Sequence, residues 1–246
     1  MRKHPYPPSL AERGKLRQGK KSDLTNILAQ KTQEEPSGSF DVRVLDGAAV
    51  VHLLPVTGIT TFDDYASGVF VPHIMRQLET SMRVDVVWGR YLDNSIKEST
   101  REKRGKGVRR KVAGPDKVPG NWPDFLRDPT NKVELFQFPI REDCIHYPFP
   151  DGKQVFATSG ASVVCSGTDH SMPPCDHEEA DHRIVVHLQD ALESGCTTCL
   201  VRTVDTDVLV ILIGKYHFLA ASIHRLTSGS PSAVARTSFP THQCHL

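Results

Sequence analysis

Three groups of acidic residues in the 246-residue chain lie where a strand is predicted to end or a helix to begin. Asp46 follows the apolar, β-branched stretch Val42–Leu45, and Asp205 and Asp207 follow a second such stretch, Cys199–Val204. The third group lies in the first turn of a predicted helix and consists of Glu178, Glu179 and Asp181. Five or six carboxylates in one place repel one another unless a cation neutralises them. Oxygen ligands of this kind suit Mg²⁺ or Mn²⁺.

A parallel sheet would bring these groups together, because the carboxyl ends of its strands share one edge and ligands bind in the crevice outside it. The chain alternates predicted strands with predicted helices, which favours an α/β fold with a central, mainly parallel sheet. We therefore expect the carboxylates to converge at that edge. Two divalent ions about 3.5–4 Å apart are the usual apparatus of phosphodiester hydrolysis, one activating water and the other stabilising the leaving oxygen.

The predicted elements follow from the spacing of the apolar residues. Buried strands are predicted at Val42–Leu45 (continuing after Asp46-Gly47 into Ala48–Leu54), Val84–Trp88, Cys199–Val204 and either Val155–Thr158 or Ser162–Cys165. Helices are predicted from Thr61 to Met82, capped by Thr61 and Asp64 and kinked at Pro72, and from Glu178 to Ser194. Val208–Ile213 fits a strand or a buried helix, and residues 112–172 are predicted to be rich in loops around short apolar pieces such as Val133–Phe138.

Each acidic group also has a purely structural interpretation. Asp46-Gly47 alone is typical of a turn, and Glu178 and Glu179 alone are typical of carboxylates that cap a helix and interact with its dipole. Asp-x-Asp pairs such as Asp205 and Asp207 also occur in nucleotide-sugar transferases and phosphatases. The apolar stretches on both sides of this pair leave little solvated surface for two carboxylates, which favours a bound metal.

The net charge of +1 is a sum of blocks of opposite sign. Residues 97–111 carry +6 and residues 173–219 carry −5. The basic residues of the first block are Lys97, Arg101, Lys103, Arg104, Lys106, Arg109, Arg110 and Lys111. This block has three interpretations: a solvated loop, a nuclear-localisation signal, or an arm that contacts the phosphate backbone of a nucleic acid without reading its sequence.

Several of these stretches resemble motifs of PIN-like, flap-endonuclease-type nucleases: Leu45-Asp46-Gly47, the HEEAD stretch His177–Asp181, and the TVDTD stretch Thr203–Asp207. Over residues 41–219 the chain resembles more closely an uncharacterised PIN-like family that is common in transposon-derived animal sequences. In that family, stretches like Ser95–Arg110, Pro119–Arg127 and HEEAD…TVDTDV recur in this order. The resemblance implies a Rossmann-like PIN fold and a nuclease ancestry.

The resemblance also implies roles for the acidic residues. Asp46 matches the first-strand aspartate, Glu179 and Asp181 match the middle acidic pair, and Asp205 and Asp207 match the downstream Asp-x-Asp. These five residues would be catalytic and would hold Mg²⁺ or Mn²⁺. Glu178 is a reserve ligand, because on a regular helix it shares a face with Asp181 whereas Glu179 does not. The block 97–111 matches a basic arch over the active site.

Two features depart from the family pattern. The family usually has an Asp after the Trp of its second strand, whereas Gly89 follows Trp88 here and Asp85 and Asp93 are out of register. The chain also has no later Gly-Cys-Asp motif, so we expect a fold that is incomplete on its C-terminal side.

The rest of the chain sets the predicted domain organisation. Residues 1–39 are predicted to be a flexible basic arm, residues 40–219 the PIN-like domain, and residues 220–246 a disordered tail. No apolar run approaches the roughly 18 residues of a membrane span, and six cysteines without a signal peptide indicate an intracellular protein. Cys196 and Cys199 have metal-ligand spacing but lack a second such pair, so a zinc site is not expected.

Two functions from different classes therefore remain open. The first is a metal-dependent nuclease that hydrolyses phosphodiester bonds of DNA or RNA. The second is a non-catalytic remnant of a transposon-derived protein that binds nucleic acid or protein, in which the same carboxylates serve as helix caps or bind cations weakly. A nucleotide-sugar transferase is remote, because it accounts for one Asp pair and for neither the HEEAD stretch nor the basic block.

Overall fold

The structure is a computed structural model that describes residues 11–12, 15–16, 38–89, 107–139, 147–166, 170–175, 180–226 and 234–238. The chain divides into two units, Met1–Ser37 and Gly38–Leu246. In the first, predicted to be a flexible arm, the strands Ala11–Glu12 and Lys15–Leu16 pair antiparallel. Glu178, Glu179, Asp93 and the basic residues from Lys97 to Lys106 lie outside the described residues.

A six-stranded sheet forms the second unit. Its strands are β1 (Phe40–Asp46), β2 (Ser81–Val87), β3 (Gln154–Ser159), β4 (Ser162–Ser166), β5 (Thr198–Arg202) and β6 (Val234–Ser238). They are arranged in the order β4-β3-β2-β1-β5-β6. All neighbours are parallel except the antiparallel pair β3 and β4. The predicted α/β class with a mainly parallel sheet is therefore confirmed, and the architecture is consistent with a Rossmann-like fold.

Helices cover both faces of the sheet, which explains why its strands are apolar on both sides. They are α1 (Gly47–Leu53), α2 (Phe62–Tyr65), α3 (Val71–Glu79), α4 (Trp122–Phe125), α5 (Pro129–Pro139), α6 (Ala180–Glu193) and α7 (Thr206–Leu226), with a π-helical turn, Ala66–Phe70, between α2 and α3. One hydrophobic core joins the sheet to α1–α5, and a second joins it to α6 and α7.

Two predicted elements are wrong. Ala48–Leu54 was predicted to continue the first strand, but the chain turns at Asp46 and forms α1, because the Asp46 carboxylate caps the new helix. Val133–Phe138 was predicted to be part of a loop-rich region but belongs to α5. Asp128 accepts hydrogen bonds from the first free amides of α5, and Pro129 occupies its first position, where proline is favoured.

Other predictions are confirmed or resolved. Thr61 and Asp64 form the predicted reciprocal capping box. The helix that was expected to reach Met82 ends earlier, since β2 begins at Ser81. Both candidate third strands exist, as the hairpin β3–β4. Val208–Ile213 is helical and lies in α7. Helix α7 reaches Leu226, and β6 follows it, so parts of the predicted disordered tail at 220–246 have regular structure. The helix continues past residue 219 because Ala220 and Ala221 have high helix propensity.

Candidate metal centre at the carboxyl edge of the sheet

Asp46 lies at the carboxyl end of β1 and is only 7% exposed. Its Oδ1 accepts a hydrogen bond from the Ala49 amide at 3.3 Å, which makes it the N-cap of α1. Its Oδ2 accepts a hydrogen bond from the Thr203 hydroxyl at 3.0 Å. Burial raises the pKa of Asp46, the negative charge of Asp205 raises it further, and the hydrogen bonds only partly oppose this shift. The carboxylate is therefore held where its charge is costly, as expected of a group that binds a cation.

Gly47 lets the chain pass close to the end of β2. A β-carbon at this position would lie 2.1 Å from the Trp88 ring, so no other residue fits without movement. The Trp88 ring stacks on Phe136 of α5 with ring centroids 4.2 Å apart, and the backbone amide of Trp88 donates a hydrogen bond to the Thr158 hydroxyl at 2.6 Å. The Asp-Gly pair is thus a packed junction between β1, α1 and β2 and not a surface turn.

Thr203 connects the two acidic groups that follow β1 and β5. Its side chain is 1% exposed, its hydroxyl donates to Asp46, and the same oxygen accepts the Asp205 amide at 3.0 Å. Asp205 in turn accepts the Asp207 amide at 2.9 Å and so occupies the N-cap position of α7. The Asp205 side chain is exposed at the edge of the sheet. Sequence reasoning did not select Thr203; its place between a buried strand and an Asp pair was the available signal.

The structure therefore brings together part of the predicted set. Asp46 and Asp205 share Thr203, and Asp207 adjoins Asp205. Asp181 is the second residue of α6, and its carboxylate accepts the His182 amide at 2.8 Å. Glu178 and Glu179 precede it, outside the described residues. In the part of the chain that the structure describes, no group of three or more His, Cys, Asp or Glu side chains is arranged to hold one metal ion.

The chemistry of Asp46 and Asp205 fits a hard divalent cation in part. The Asp46 oxygens accept hydrogen bonds from the Ala49 amide and the Thr203 hydroxyl, and a carboxylate oxygen has two lone pairs. The negative charge of Asp205 raises the pKa of Asp46, a repulsion that a cation would relieve. Two carboxylates are a minimal set, and among the described residues the further predicted ligands are Asp207 and, in the first turn of α6, Asp181.

No carboxylate stands at the end of β2, where the resemblance would place one. Trp88 and Gly89 occupy that position. The Asp85 side chain lies in a buried network on the face of β2 that packs against α6. The Arg83 guanidinium donates to both Asp85 oxygens, at 2.7 and 2.8 Å, and to Asp190 at 2.7 Å. His187 Nδ1 lies 2.7 Å from Asp85. Burial alone would raise the pKa of Asp85, but the hydrogen bonds from His187 and Arg83 outweigh it and lower the pKa.

Sequence reasoning missed this network, which ties α6 to the sheet. Arg83, Asp85 and His187 are each at most 3% exposed, and the Arg83 guanidinium also lies 3.8 Å from the Phe156 ring centre. The signal in the sequence was the alternation Arg83-Val84-Asp85, which puts two charged residues on one face of a strand. Because the network is buried, it serves the fold and is closed to a substrate.

The described end of the basic block lies along α5. Asn131, fully buried, accepts from Arg109 Nη1 and from the Arg110 amide, both at 2.9 Å. Glu134 accepts from Arg109 Nη2 at 2.5 Å and from the Val112 amide at 2.9 Å. Arg109 is thus already engaged by a carboxylate, and the side chains of Arg109, Arg110 and Lys111 are all exposed. Within this segment, the predicted contact with phosphates is best assigned to Arg110 and Lys111.

The Cys196 and Cys199 thiols are poor nucleophiles. Burial raises the pKa of both, and that of Cys199 reaches about 12. Thiolates are the form that binds zinc or attacks a disulfide, so neither chemistry is favoured here.

Comparison of the chain with protein-family models, with curated proteins and with solved structures found no match. Among the described residues, no helix is both long enough and apolar enough to cross a membrane. The assignment of a function therefore depends on the site itself.

Proposed function

We propose that residues 40–219 form a PIN-like, Mg²⁺- or Mn²⁺-dependent nuclease domain that hydrolyses phosphodiester bonds of DNA or RNA. The observation that supports this proposal is the Asp46–Thr203–Asp205 arrangement: the buried Asp46 carboxylate and the Asp205 backbone amide share the Thr203 hydroxyl at the carboxyl edge of adjacent parallel strands, and the negative charge of Asp205 raises the pKa of Asp46. That edge is where open α/β sheets bind ligands.

In this proposal Asp46, Asp205 and Asp207 hold divalent ions together with Glu179 and Asp181, with Glu178 as reserve. The ions would supply an activated water and stabilise the leaving oxygen. Thr203 orients the Asp46 carboxylate, and Arg110 and Lys111, with the basic residues that precede them, bind the phosphate backbone.

The test is cleavage of flapped, single-stranded and duplex DNA and RNA in Mn²⁺. We expect the parent to cleave at least one substrate and Asp205→Asn to lose the activity by roughly 100-fold or more, because the amide removes a negative ligand without changing the shape of the side chain. Asp151→Asn is the matched control, since Asp151 lies on an exposed turn. Absence of metal-dependent cleavage by the parent would contradict the proposal.

A second candidate is the non-catalytic remnant, which one observation favours. Asp46 caps α1 and Asp205 caps α7, so both carboxylates already have structural partners. On this view they stabilise helices and bind cations weakly or not at all. Titration of the parent with Mn²⁺ separates the two candidates: saturable binding that Asp205→Asn removes supports the nuclease site, and no binding supports the remnant.

A further inference from the structure

The first turn of α6 buries a guanidinium group. Arg183 is 1% exposed, although arginine is rarely buried this completely unless it is paired. Its Nη1 donates a hydrogen bond to the Gly160 carbonyl at 2.7 Å. Gly160 directly follows β3, and its φ of 60° lies in the left-handed region that favours glycine. Arg183 therefore ties the beginning of α6 to the tip of the β3–β4 hairpin.

This hairpin tip lies at the same edge of the sheet as Asp46. Strand β3 is parallel to β2, and β2 is parallel to β1, so the carboxyl ends of all three strands share that edge. The Thr158 hydroxyl accepts the Trp88 amide, which fixes the end of β3 beside the end of β2. Two strand spacings, about 10 Å, separate β3 from β1 across the sheet. The anchor point of Arg183 is therefore beside the candidate metal centre and is not part of it.

Arg183 is the first member of a polar stripe along one flank of α6. His187 and Asp190 follow it at the i+4 and i+7 positions, which share a helix flank with it. His187 contacts Asp85 of β2, and Asp190 accepts from Arg83 of the same strand. The stripe therefore follows β2 and β3, and Arg183 makes the contact that lies nearest to the carboxyl edge.

The apolar residues of α6 form the neighbouring stripe. Ile184, Leu188 and Ala191 belong to the core that also contains Val42 of β1 and Cys199 of β5. Strands β1 and β5 lie on the side of β2 that is away from β3. The rotation of α6 about its axis is thus set by polar contacts on one flank and by apolar contacts on the other.

This rotation determines where Asp181 points. At 100° per residue, Asp181 lies about 160° around the helix axis from Arg183, on the far side of the apolar stripe. When Arg183 is held on the hairpin, Asp181 is therefore on the flank that faces β1 and β5. Those are the strands that Asp46 and Asp205 follow.

We propose that Arg183 is a positioning residue of the candidate metal centre, which fixes the first turn of α6 so that Asp181 lies on the side of Asp46 and Asp205. The role of these carboxylates as metal ligands rests on the proposed nuclease function. The Arg83–Asp85–His187 network holds the later turns of α6, and Arg183 holds the turn that carries the acidic residue. Helix ends open first, so this turn needs an anchor of its own.

The first test measures Mn²⁺ binding without nucleic acid. The full chain is titrated with Mn²⁺, and the free ion is followed by electron paramagnetic resonance. We expect Arg183→Met to weaken binding by about 10-fold or more, as is typical of residues that orient metal ligands without touching the metal. Arg183→Lys keeps the charge and a donor for Gly160 and should recover most of the affinity. Arg127→Met, the same substitution at a side chain that is 64% exposed, should bind as the parent does.

Amide hydrogen exchange in the absence of metal separates positioning from general stability. The amides of Ile184 and Val185 bond to carbonyls of the first turn of α6. We expect them to exchange roughly 10-fold faster in Arg183→Met, with no change in the last turn. Equal acceleration along the whole of α6 would make Arg183 a general stability residue and overturn the inference. Circular dichroism checks that each variant is folded.

The two measurements distinguish failure of the anchor from failure of the metal centre. Mn²⁺ binding by the parent that Arg183→Met leaves unchanged overturns the positioning role and retains the metal centre. Absence of Mn²⁺ binding by the parent rejects the metal centre. Faster exchange confined to the first turn then retains Arg183 as the anchor of this turn, and unchanged exchange rejects it.

Discussion

Asp46 is placed where a charge is unfavourable, which a simple helix cap does not require. A cap needs only an acceptor for the Ala49 amide, which asparagine also supplies. Burial and Asp205 raise the pKa of Asp46, so the charged form destabilises the folded state at neutral pH. A carboxylate retained at such a cost is typical of a functional site.

We therefore expect Asp46→Asn to be at least as stable as the parent at neutral pH in the absence of metal. The amide removes the buried charge and keeps the cap, whereas Asp46→Ala loses the cap and about 1 kcal/mol. Urea unfolding followed by circular dichroism measures both variants.

The sign of the pH dependence follows from the raised pKa. Between the unfolded and the folded pKa the native state binds more protons, so stability contributed by Asp46 falls as the pH rises through that window. Between acidic and neutral pH, the parent should therefore lose more free energy of unfolding than Asp46→Asn does, and the difference is the contribution of the Asp46 carboxyl group. Mn²⁺ should raise the melting temperature of the parent and not of the variant. A variant that is clearly less stable than the parent at neutral pH would make Asp46 a structural residue.

At the level of elements, the carboxyl edge depends on helix α6 being fixed against the sheet, and the buried Arg83–Asp85–His187 network does this. The network joins β2 to α6 through Asp85 and His187, and Asp190 extends it along the same helix. Helix α6 carries Asp181 in its first turn, so the position of the helix decides where Asp181 lies relative to Asp46.

Asp85→Asn should cost about 3–5 kcal/mol of unfolding free energy at neutral pH, because it leaves a buried guanidinium without its main counter-charge. The lowered pKa of Asp85 means that its contribution is complete above the unfolded value near 3.9 and is lost as the pH falls through the folded value. The gap between parent and variant should therefore narrow below about pH 4. Urea unfolding over this range tests it, with Asp151→Asn as the exposed control. Equal stability of Asp85→Asn and the parent at pH 7 would refute the role of the network.

Some elements were predictable from the sequence and others were not, for physical reasons. The periodic spacing of apolar residues predicts a helix over Glu178–Ser194, which contains α6. Local cap chemistry predicts the capping box at Thr61. Helix α1 was not predictable, because a short run of apolar residues fits a buried strand or a helix equally well. Its identity is decided by Asp46, whose side chain binds the Ala49 amide and so ends the strand.

At the level of the whole molecule, the order of the strands determines which predicted residues meet. The sequence indicated that Asp46 and Asp205 each follow a strand, but not that β1 and β5 are neighbours; that pairing joins them through Thr203. The same topology separates Asp85 from the edge, since its side chain lies on the α6 face in the middle of β2. Local spacing predicts the elements, and long-range pairing, which the sequence does not encode locally, assembles the site.

The balance of charge over the whole chain gives the last prediction. With a net charge of +1, the protein has little overall attraction for nucleic acid, and fields are screened within about 8 Å at physiological salt. Binding must then depend on where cations lie and not on how many there are.

Lys111→Gln and Lys215→Gln each remove one exposed lysine and change the net charge equally. We expect Lys111→Gln to weaken oligonucleotide binding several-fold and to reduce the salt slope by about 1, because Lys111 belongs to the basic block, whereas Lys215→Gln should bind as the parent does. Arg110→Gln should follow Lys111→Gln, while Arg109→Gln should also lower stability, because its contacts with Glu134 and Asn131 hold the segment on α5. Fluorescence anisotropy and urea unfolding measure the two effects. Equal weakening by Lys111→Gln and Lys215→Gln would show that net charge, and not the basic block, controls binding.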